Sequence, residues 1–452
     1  MAPTQQYWPR GGNVYLQPRP ATGLLADAYI NGALYIAHRG NPLRYPEHTM
    51  EAYAACVADG VKAIEQDCWL LSDGTLGVMH DSTVNRTTTS SGNTDSFNAT
   101  TWAALQVDIG DTLGGAWDGT RQTPPLFSQV VSTYGNDVLL VVEAKNAGAG
   151  AAIVAELQAQ GVASDAAIVQ AFDSAELNAA IVAGYPTMWL GDSIIASEAQ
   201  ALGVRYIGCS NSASSSYIST HLATGREVVA YTIDRHWRRD ELLALGVTGF
   251  FSDDSQYLAD QARLETDPYA TQTWGRGMLV GGGSRGDFTA PDEWGYSPAG
   301  DGRYQVLQGW ACPIGGDQDA DNFTIDFTVN FENLGSQWAS IFVGADKDTA
   351  YSDLGAEVEG YHLLFRYDGK LDIYLQELSG ATQLQRTDDV SLASNTDYEM
   401  RVTVTPTQIT LANLTVGASV TATNSAYRGG YFHFGCRGPA RPRFSNVTVT
   451  PA

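Results

Sequence analysis

Between residues 34 and 254, short apolar runs alternate with longer segments whose apolar positions recur at helical spacing. The runs at 34–40, 138–146, 168–173, 188–192, 204–210, 228–234 and 249–254 read as strands, and 63–81 as a strand, a tight turn and a returning strand, whose first strand makes the eighth. Of the intervening segments, 49–59 sets Met50, Tyr53, Ala54 and Val57 on one helical face and stops at Gly60; later ones stop at Gly161, Gly184, Gly203, Gly225 and Gly246. Continuous apolar strands separated by amphipathic helices mean a parallel sheet covered on its outer face. Eight such units in about 220 residues predict an α/β fold, a (β/α)8 TIM barrel. The stretch 82–125, rich in Thr, Ser, Asn and Gly, is too long for an ordinary connection and is expected to form a lid or wall beside the site.

The pattern changes near residue 265. Residues 266–302 are Gly-rich and read as a linker. From 303 the period is two: residues 324–331 alternate strictly, 361–378 form a hairpin turning at Asp368 and Gly369, and 397–404 and 444–449 continue the alternation. This predicts an all-β jelly-roll sandwich. The expected organisation is a lead-in over 1–30, the barrel over 31–265, the linker over 266–302 and the sandwich over 303–452.

Bulk properties fit two globular domains: 452 residues, 44% hydrophobic and 10% aromatic. The net charge of −24 is spread along the chain. It argues against nucleic-acid partners and against docking on an anionic membrane by charge. A phosphate-bearing substrate must then be held locally, by a metal or by a few placed Arg and Lys. Neither a secretory leader nor a transmembrane segment is read, and the compartment stays open between extracellular, virion-associated and cytoplasmic. Five cysteines without a CxxC pair argue against zinc. Cys56, Cys68 and Cys209 read as core residues, while a pairing of Cys312 with Cys436 is left open. Asp317, Asp319 and Asp321 alternate as in a calcium loop but lack the later Glu, which favours a solvated acidic loop.

Chemistry concentrates in 63–81. Asp73 and Gly74 signal a two-residue hairpin loop. That loop would set Ser72 opposite Thr75, Leu70 opposite Gly77, Cys68 opposite Met79 and Asp67 opposite His80, with Glu65 on the same face. The bland alternative is an amphipathic hairpin whose polar face is wet. Barrel sites lie at the carboxyl ends of the strands, and those ends carry His38 and Arg39, Glu65 and Asp67, Glu143 and Lys145, Phe172, and Tyr231. Three acids can hold one hard divalent cation, calcium or magnesium. Two histidines beside a metal suit displacement at phosphorus, one accepting and one donating a proton. Arg39 and Lys145 would offset charge on the phosphoryl oxygens.

These residues also carry a resemblance. The motifs Ile36-Ala37-His38-Arg39-Gly40, Pro46-Glu47-His48-Thr49, Ile64-Glu65-Gln66-Asp67, Asp73-Gly74, Met79-His80-Asp81, Asn85-Arg86-Thr87-Thr88, Glu143-Ala144-Lys145 and the run from Gly246 to Asp253 follow the order and spacing of the glycerophosphodiester phosphodiesterase family. The resemblance covers roughly residues 34–260. It implies a metal-dependent barrel hydrolase releasing glycerol 3-phosphate and an alcohol. On matching positions, His38 and His80 are the acid/base pair, Glu65, Asp67 and Glu143 the metal ligands, and Arg39 and Lys145 the phosphate holders. Glu47, Phe172 and Tyr231 are candidates for the substrate pocket. The family usually has Asn at His48 and often Trp at Tyr231. It leaves open whether the glycerol 2-hydroxyl or water attacks phosphorus.

The C-terminal region resembles a concanavalin A-like (laminin G-like) sandwich, which implies glycan binding or attachment. Together the two parts suggest action on polymeric glycerol phosphate such as teichoic acid at a cell surface. The competing readings are a phospholipase D-like cleavage of lipids by a related two-histidine barrel, and a non-catalytic glycan-binding or virion tail protein.

Overall fold

The structure, a computed structural model, describes residues 22–42, 45–107 and 122–259, and beyond them 293–295, 305–306, 312–313, 321–331, 334, 338–347, 358–437 and 442–451. Two compact units form, with the main boundary after Ala259.

The first unit contains strands β1 (Tyr29–Ile30), β2 (Ala33–Ala37), β3 (Ala63–Leu70), β4 (Leu76–Val78), β5 (Leu139–Ala144), β6 (Ala167–Ala171), β7 (Thr187–Leu190), β8 (Tyr206–Ser210), β9 (Glu227–Tyr231) and β10 (Gly249–Ser252). Eight of them pair in parallel in the order β2-β10-β9-β8-β7-β6-β5-β3, and Ala37 opposite Ile64 joins β2 to β3 and closes the ring. This is the TIM barrel that the alternation predicts. β1 and β4 are antiparallel additions to β2 and β3.

Side-chain period two explains the continuous apolar runs. On β2, β3 and β5, Leu34, Ile36, Ala63, Leu139 and Val141 fall in an inner cluster. Their neighbours Tyr35, Ala37, Ile64, Leu140 and Val142 fall in the layer under the helices. Both faces are buried, so neither can be polar except where the inner layer reaches the open end. Cys56, Cys68 and Cys209 are buried free thiols, as expected. The helix Met50–Ala58 starts at Thr49, whose Oγ1 accepts from the Ala52 amide at 3.1 Å.

The hairpin departs from its expected register. Cys68 pairs with Val78, Trp69 with Gly77 and Leu70 with Leu76. The loop therefore has three residues, Ser72 to Gly74, and Asp67 faces Met79, whose amide donates to its carbonyl at 2.9 Å. A type I′ turn needs positive φ at two residues, and only Gly74 has it (φ 86). Asp73 instead accepts from the Thr75 amide (3.1 Å), the Thr75 hydroxyl (2.6 Å) and the Ala99 amide (2.9 Å). Such bonding fits a type I turn closed by a left-handed glycine. The described part of the 82–125 excursion docks on this hairpin, where Trp102, Val84 and Leu105 bury Leu71 and Met79.

The second unit holds β11 (Glu293–Gly295), β12 (Gln305–Val306), β13 (Cys312–Pro313), β14 (Phe323–Phe331), β15 (Trp338–Gly344), β16 (Gly360–Arg366), β17 (Leu371–Glu377), β18 (Gly380–Arg386), β19 (Asp397–Val404), β20 (Gln408–Asn413), β21 (Ala418–Thr423), β22 (Gly429–Arg437) and β23 (Pro442–Pro451). They make a six-stranded sheet, β11-β23-β14-β19-β20-β21, and a second sheet, β12-β22-β15-β16-β17-β18, in which β13 also pairs with β22. One core is shared by inward residues of both sheets, among them Phe327, Met400, Phe365 and Phe434. β14 alternates buried and half-buried without a break, as its sequence predicts. Of the segment read as a linker, only Glu293–Gly295 is described, and it pairs with β23. The side chains of Cys312 and Cys436, and residues Asp317 and Asp319, lie outside the described residues, as do 1–21 and 108–121.

Candidate active site

The site is the top of the barrel's inner layer. Glu65 and Asp67 continue the inner face of β3 beyond Ala63, and Glu143 continues that of β5 beyond Val141. Asp67 and Glu143 are register neighbours, as are Glu143 and Gln170. One pocket is lined by His38, Arg39, Glu65, Asp67, His80, Glu143, Gln170, Phe172, Leu190, Tyr231, Thr232 and Phe251. Of the ten site residues expected from sequence, eight line it. Lys145 and Glu47 do not: Lys145 pairs with Glu143 and Asp67, and Glu47 with Arg39 and Arg86.

His38 was expected at a strand end. β2 stops at Ala37, and His38–Gly40 is a 3₁₀ turn with Arg39 left-handed (φ 52). The turn aims the Arg39 amide at Glu65 Oε2, 2.8 Å away. Gly40 is needed there: its φ is 85, and a Cβ would sit 3.1 Å from Ala52 Cβ and 3.2 Å from the Tyr53 ring. Gly40→Ala should cost about 1–3 kcal/mol of stability; denaturant melts with an unchanged m-value would report it.

Each histidine is held through Nδ1. His38 Nδ1 lies 2.6 Å from Asp253 Oδ1, and His80 Nδ1 lies 2.8 Å from Asp81 Oδ1. This leaves Nε2 of each ring to the pocket. Burial pushes the His80 pKa down, against the pull of Asp67, so that the ring is neutral at neutral pH. The register slip does not cost His80 its place, because the chain leaves the ladder at Val78 and turns it inward. Asp81 and Asp253 entered the sequence reading only as motif members.

Asp67 is the electrostatic centre. Lys145 Nζ is 3.3 Å from its Oδ1 and 2.9 Å from Glu143 Oε1. His48 Nε2 is 2.8 Å from its Oδ2, and Arg39 Nε is 3.8 Å away. Burial alone would raise the Asp67 pKa, but Lys145 and His48 outweigh it and hold it well below the usual range. Burial, then the Asp67 charge, pushes Glu65 and Glu143 well above theirs. Gln170 adds only a long contact to Glu65, 3.4 Å.

A divalent cation fits this set. Among the described residues, His48, Glu65 and Asp67 each bring a ligand atom within 4.8 Å of the others. Buried Asp67 Oδ1 and Arg39 Nε have no hydrogen-bond partner. Two of the three crowded carboxylates are pushed toward protonation even with Lys145 and Arg39 beside them, so the cluster can take further positive charge. Sequence assigned Glu143 where this compact group has His48. His48 is buried but is not part of the pocket lining, and its Nδ1 meets the Tyr53 hydroxyl at 2.8 Å. Its φ of 51 lies in the left-handed region, where His, Asn and Asp are the enriched residues other than glycine.

Raised carboxyls give a pH signature. In the folded metal-free protein Glu65 and Glu143 keep protons that the unfolded chain releases near 4.5. Folded protein then binds more protons, so stability falls as pH rises above that value. Thermal melts in chelator should show this fall above about pH 6.5, where the lowered pKa values of His48 and His80 no longer offset it, and a bound cation should remove it.

Comparison with known proteins bears on the first unit. Residues 38–256 match the glycerophosphoryl diester phosphodiesterase family. A glycerophosphodiester phosphodiesterase of Caldanaerobacter subterraneus is 35% identical over 113 residues, 25% of this chain and 45% of that protein. "Probable glycerophosphodiester phosphodiesterase 1" of Mycobacterium tuberculosis is 28% identical over 255 residues, 49% of this chain and 90% of that protein. A solved Oleispira antarctica phosphodiesterase, in complex with the product sn-glycerol-3-phosphate, is 23% identical with a TM-score of 0.43, covering 50% of this chain and 94% of that one. The chain therefore contains a glycerophosphoryl diester phosphodiesterase family domain, spanning residues 38–256.

Proposed function

We propose that the chain hydrolyses glycerophosphodiesters to glycerol 3-phosphate and an alcohol, with a divalent cation, calcium or magnesium, at the barrel's open end. The observation that carries this reading is the convergence of two carboxylate-tethered histidines and three buried acids on one pocket.

A neutral imidazole with Nδ1 held by a carboxylate presents an unprotonated Nε2, the form that accepts a proton from an attacking hydroxyl. The opposite histidine, protonated, donates to the leaving alcohol oxygen. Arg39, whose side chain lines the pocket, binds phosphoryl oxygens; Lys145 balances the acids and keeps Asp67 ionised. Glu65, Asp67 and Glu143, backed by His48, would hold the cation, which supplies Lewis-acid polarisation and charge neutralisation when bound. Phe172, Tyr231 and Phe251 give the far side of the pocket an aromatic wall suited to the carbon skeleton of glycerol or its alcohol.

The test is release of glycerol 3-phosphate from glycerophosphocholine and glycerophosphoethanolamine by the purified full chain, with calcium, magnesium or chelator. Cation-dependent release supports the reading; no release with any cation, from a folded protein, removes it. Action on polymeric glycerol phosphate at a cell surface is the finer form of the same proposal, suggested by the appended sandwich. It predicts faster cleavage of glycerol-phosphate polymer than of the small diesters. Among the described residues no helix is long and apolar enough to cross a membrane.

A further inference from the structure

Arg86 is outside the pocket lining, in the excursion that follows the hairpin. Its guanidinium donates to both oxygens of Glu47, Nη1 to Oε2 and Nη2 to Oε1, each at 2.7 Å. It also donates to both oxygens of Asp81, Nε to Oδ2 at 2.7 Å and Nη2 to Oδ1 at 3.1 Å. Each carboxylate has a second partner that does line the pocket. Asp81 Oδ1 is 2.8 Å from His80 Nδ1, and Glu47 Oε1 is 3.6 Å from Arg39 Nη1. His80 and Arg39 enter from different strands, one after β4 and the other after β2, and Arg86 joins their supports.

The geometry points to Arg86 as a positioning residue for the phosphodiester site, a single strut that sets the His80 ring and the Arg39 guanidinium together without touching substrate. A planar fork with five donors can meet both oxygens of each of two carboxylates in fixed directions; an ammonium offers a point charge with no fixed directions. Asp81 is thereby kept ionised and aimed at Nδ1, which fixes the His80 tautomer with Nε2 unprotonated. Glu47, nearly buried, gains the partner without which its carboxylate would stand uncompensated. Arg86 is itself half-exposed, so the strut is anchored by its bonds rather than by packing. The catalytic part of this inference rests on the function proposed above; the tautomer part does not.

The experiment uses the full chain and three variants, Arg86→Lys, Asp81→Asn and the double variant. Arg86→Lys should lower kcat by about 10–100-fold, the range for supports of active-site groups. Because Arg86 acts partly through Asp81 and partly through Glu47, the loss in the double variant should be less than the product of the two single losses. Imidazole ¹⁵N–¹H correlation spectra, with His80 assigned from His80→Gln, should show one Nδ1–H tautomer in the wild type. Both single variants should show a mixture of tautomers. A folded Arg86→Lys with unchanged kcat, additive losses in the double variant, or an undisturbed His80 tautomer would each overturn the strut. If Arg86→Lys does not fold, Asp81→Asn decides alone, and an unchanged tautomer there overturns it too. A wild type without activity on any diester removes the function reading while the spectra still judge the strut.

Discussion

A His80→Ala variant cleaves glycerophosphodiesters about 100- to 10,000-fold more slowly than the wild type, the usual cost of losing a positioned acid or base. His38→Ala does the same. Each ring sits in the arrangement that makes this large: Nδ1 tied to a carboxylate, Nε2 open to the pocket. For His80, burial keeps the ring neutral and able to accept a proton. Removing it leaves Asp81 still bound by Arg86, so the fold should survive. Circular dichroism and thermal melts check that, and kcat is the readout. A p-nitrophenyl ester of glycerol 3-phosphate then separates the roles, because its leaving group needs no proton. The variant lacking the acid recovers on that substrate, and the variant lacking the base does not. Losses below tenfold in both variants would sink the two-histidine reading.

Asp67→Asn should weaken cation binding by more than the roughly 10–100-fold seen when only outer-shell partners are changed. Asp67 is the one acid of the three whose neighbours hold it ionised, so it supplies the negative charge that is present before any cation arrives. Glu65 and Glu143 must each give up a proton to bind, and it is largely the Asp67 charge, after burial, that keeps those protons on. Wild-type binding should therefore release protons, and fewer should be released by Asp67→Asn. Calorimetry in buffers of different ionisation enthalpy measures both affinity and proton count. Unchanged affinity would place the cation elsewhere. Lys145 keeps Glu143 as a partner at 2.9 Å, so the variant does not leave a buried ammonium unpaired.

Two hairpins share a turn signal and a loop length. Asp73-Gly74 and Asp368-Gly369 both mark turns correctly, and both loops have three residues, with the amide of the glycine donating to the residue that opens the loop. The dipeptide reports that the chain turns; the count of loop residues depends on what the Asp side chain bonds to. For Asp73 that includes the Ala99 amide, 26 positions away. The slip moved Asp67 from His80 to Met79, yet both reached the pocket, because the barrel's inner face rather than the hairpin's face positions the acids. Gln170 was legible in principle: it lies two residues past inner Ile168 and in register with Glu143. Asp253 and Arg86 were not, since neither spacing nor period says that a carboxylate 215 positions from His38 will meet its ring.

Local order determined the eight strands, the helix between Thr49 and Gly60, the change to period two after residue 303, and the set of histidines and acids at the strand ends. These follow from burial period and from turn and cap chemistry, which act over a few residues and are written in the chain. Only the tertiary structure decided how that set is wired. It added His48 beside Glu65 and Asp67, paired Lys145 with Asp67 and Glu143 and Glu47 with Arg86, and tied each histidine to its own carboxylate. Hydrogen bonds and ion pairs of this kind depend on distances of about 3 Å between side chains from different strands. Ring closure sets those distances, and no local pattern encodes them.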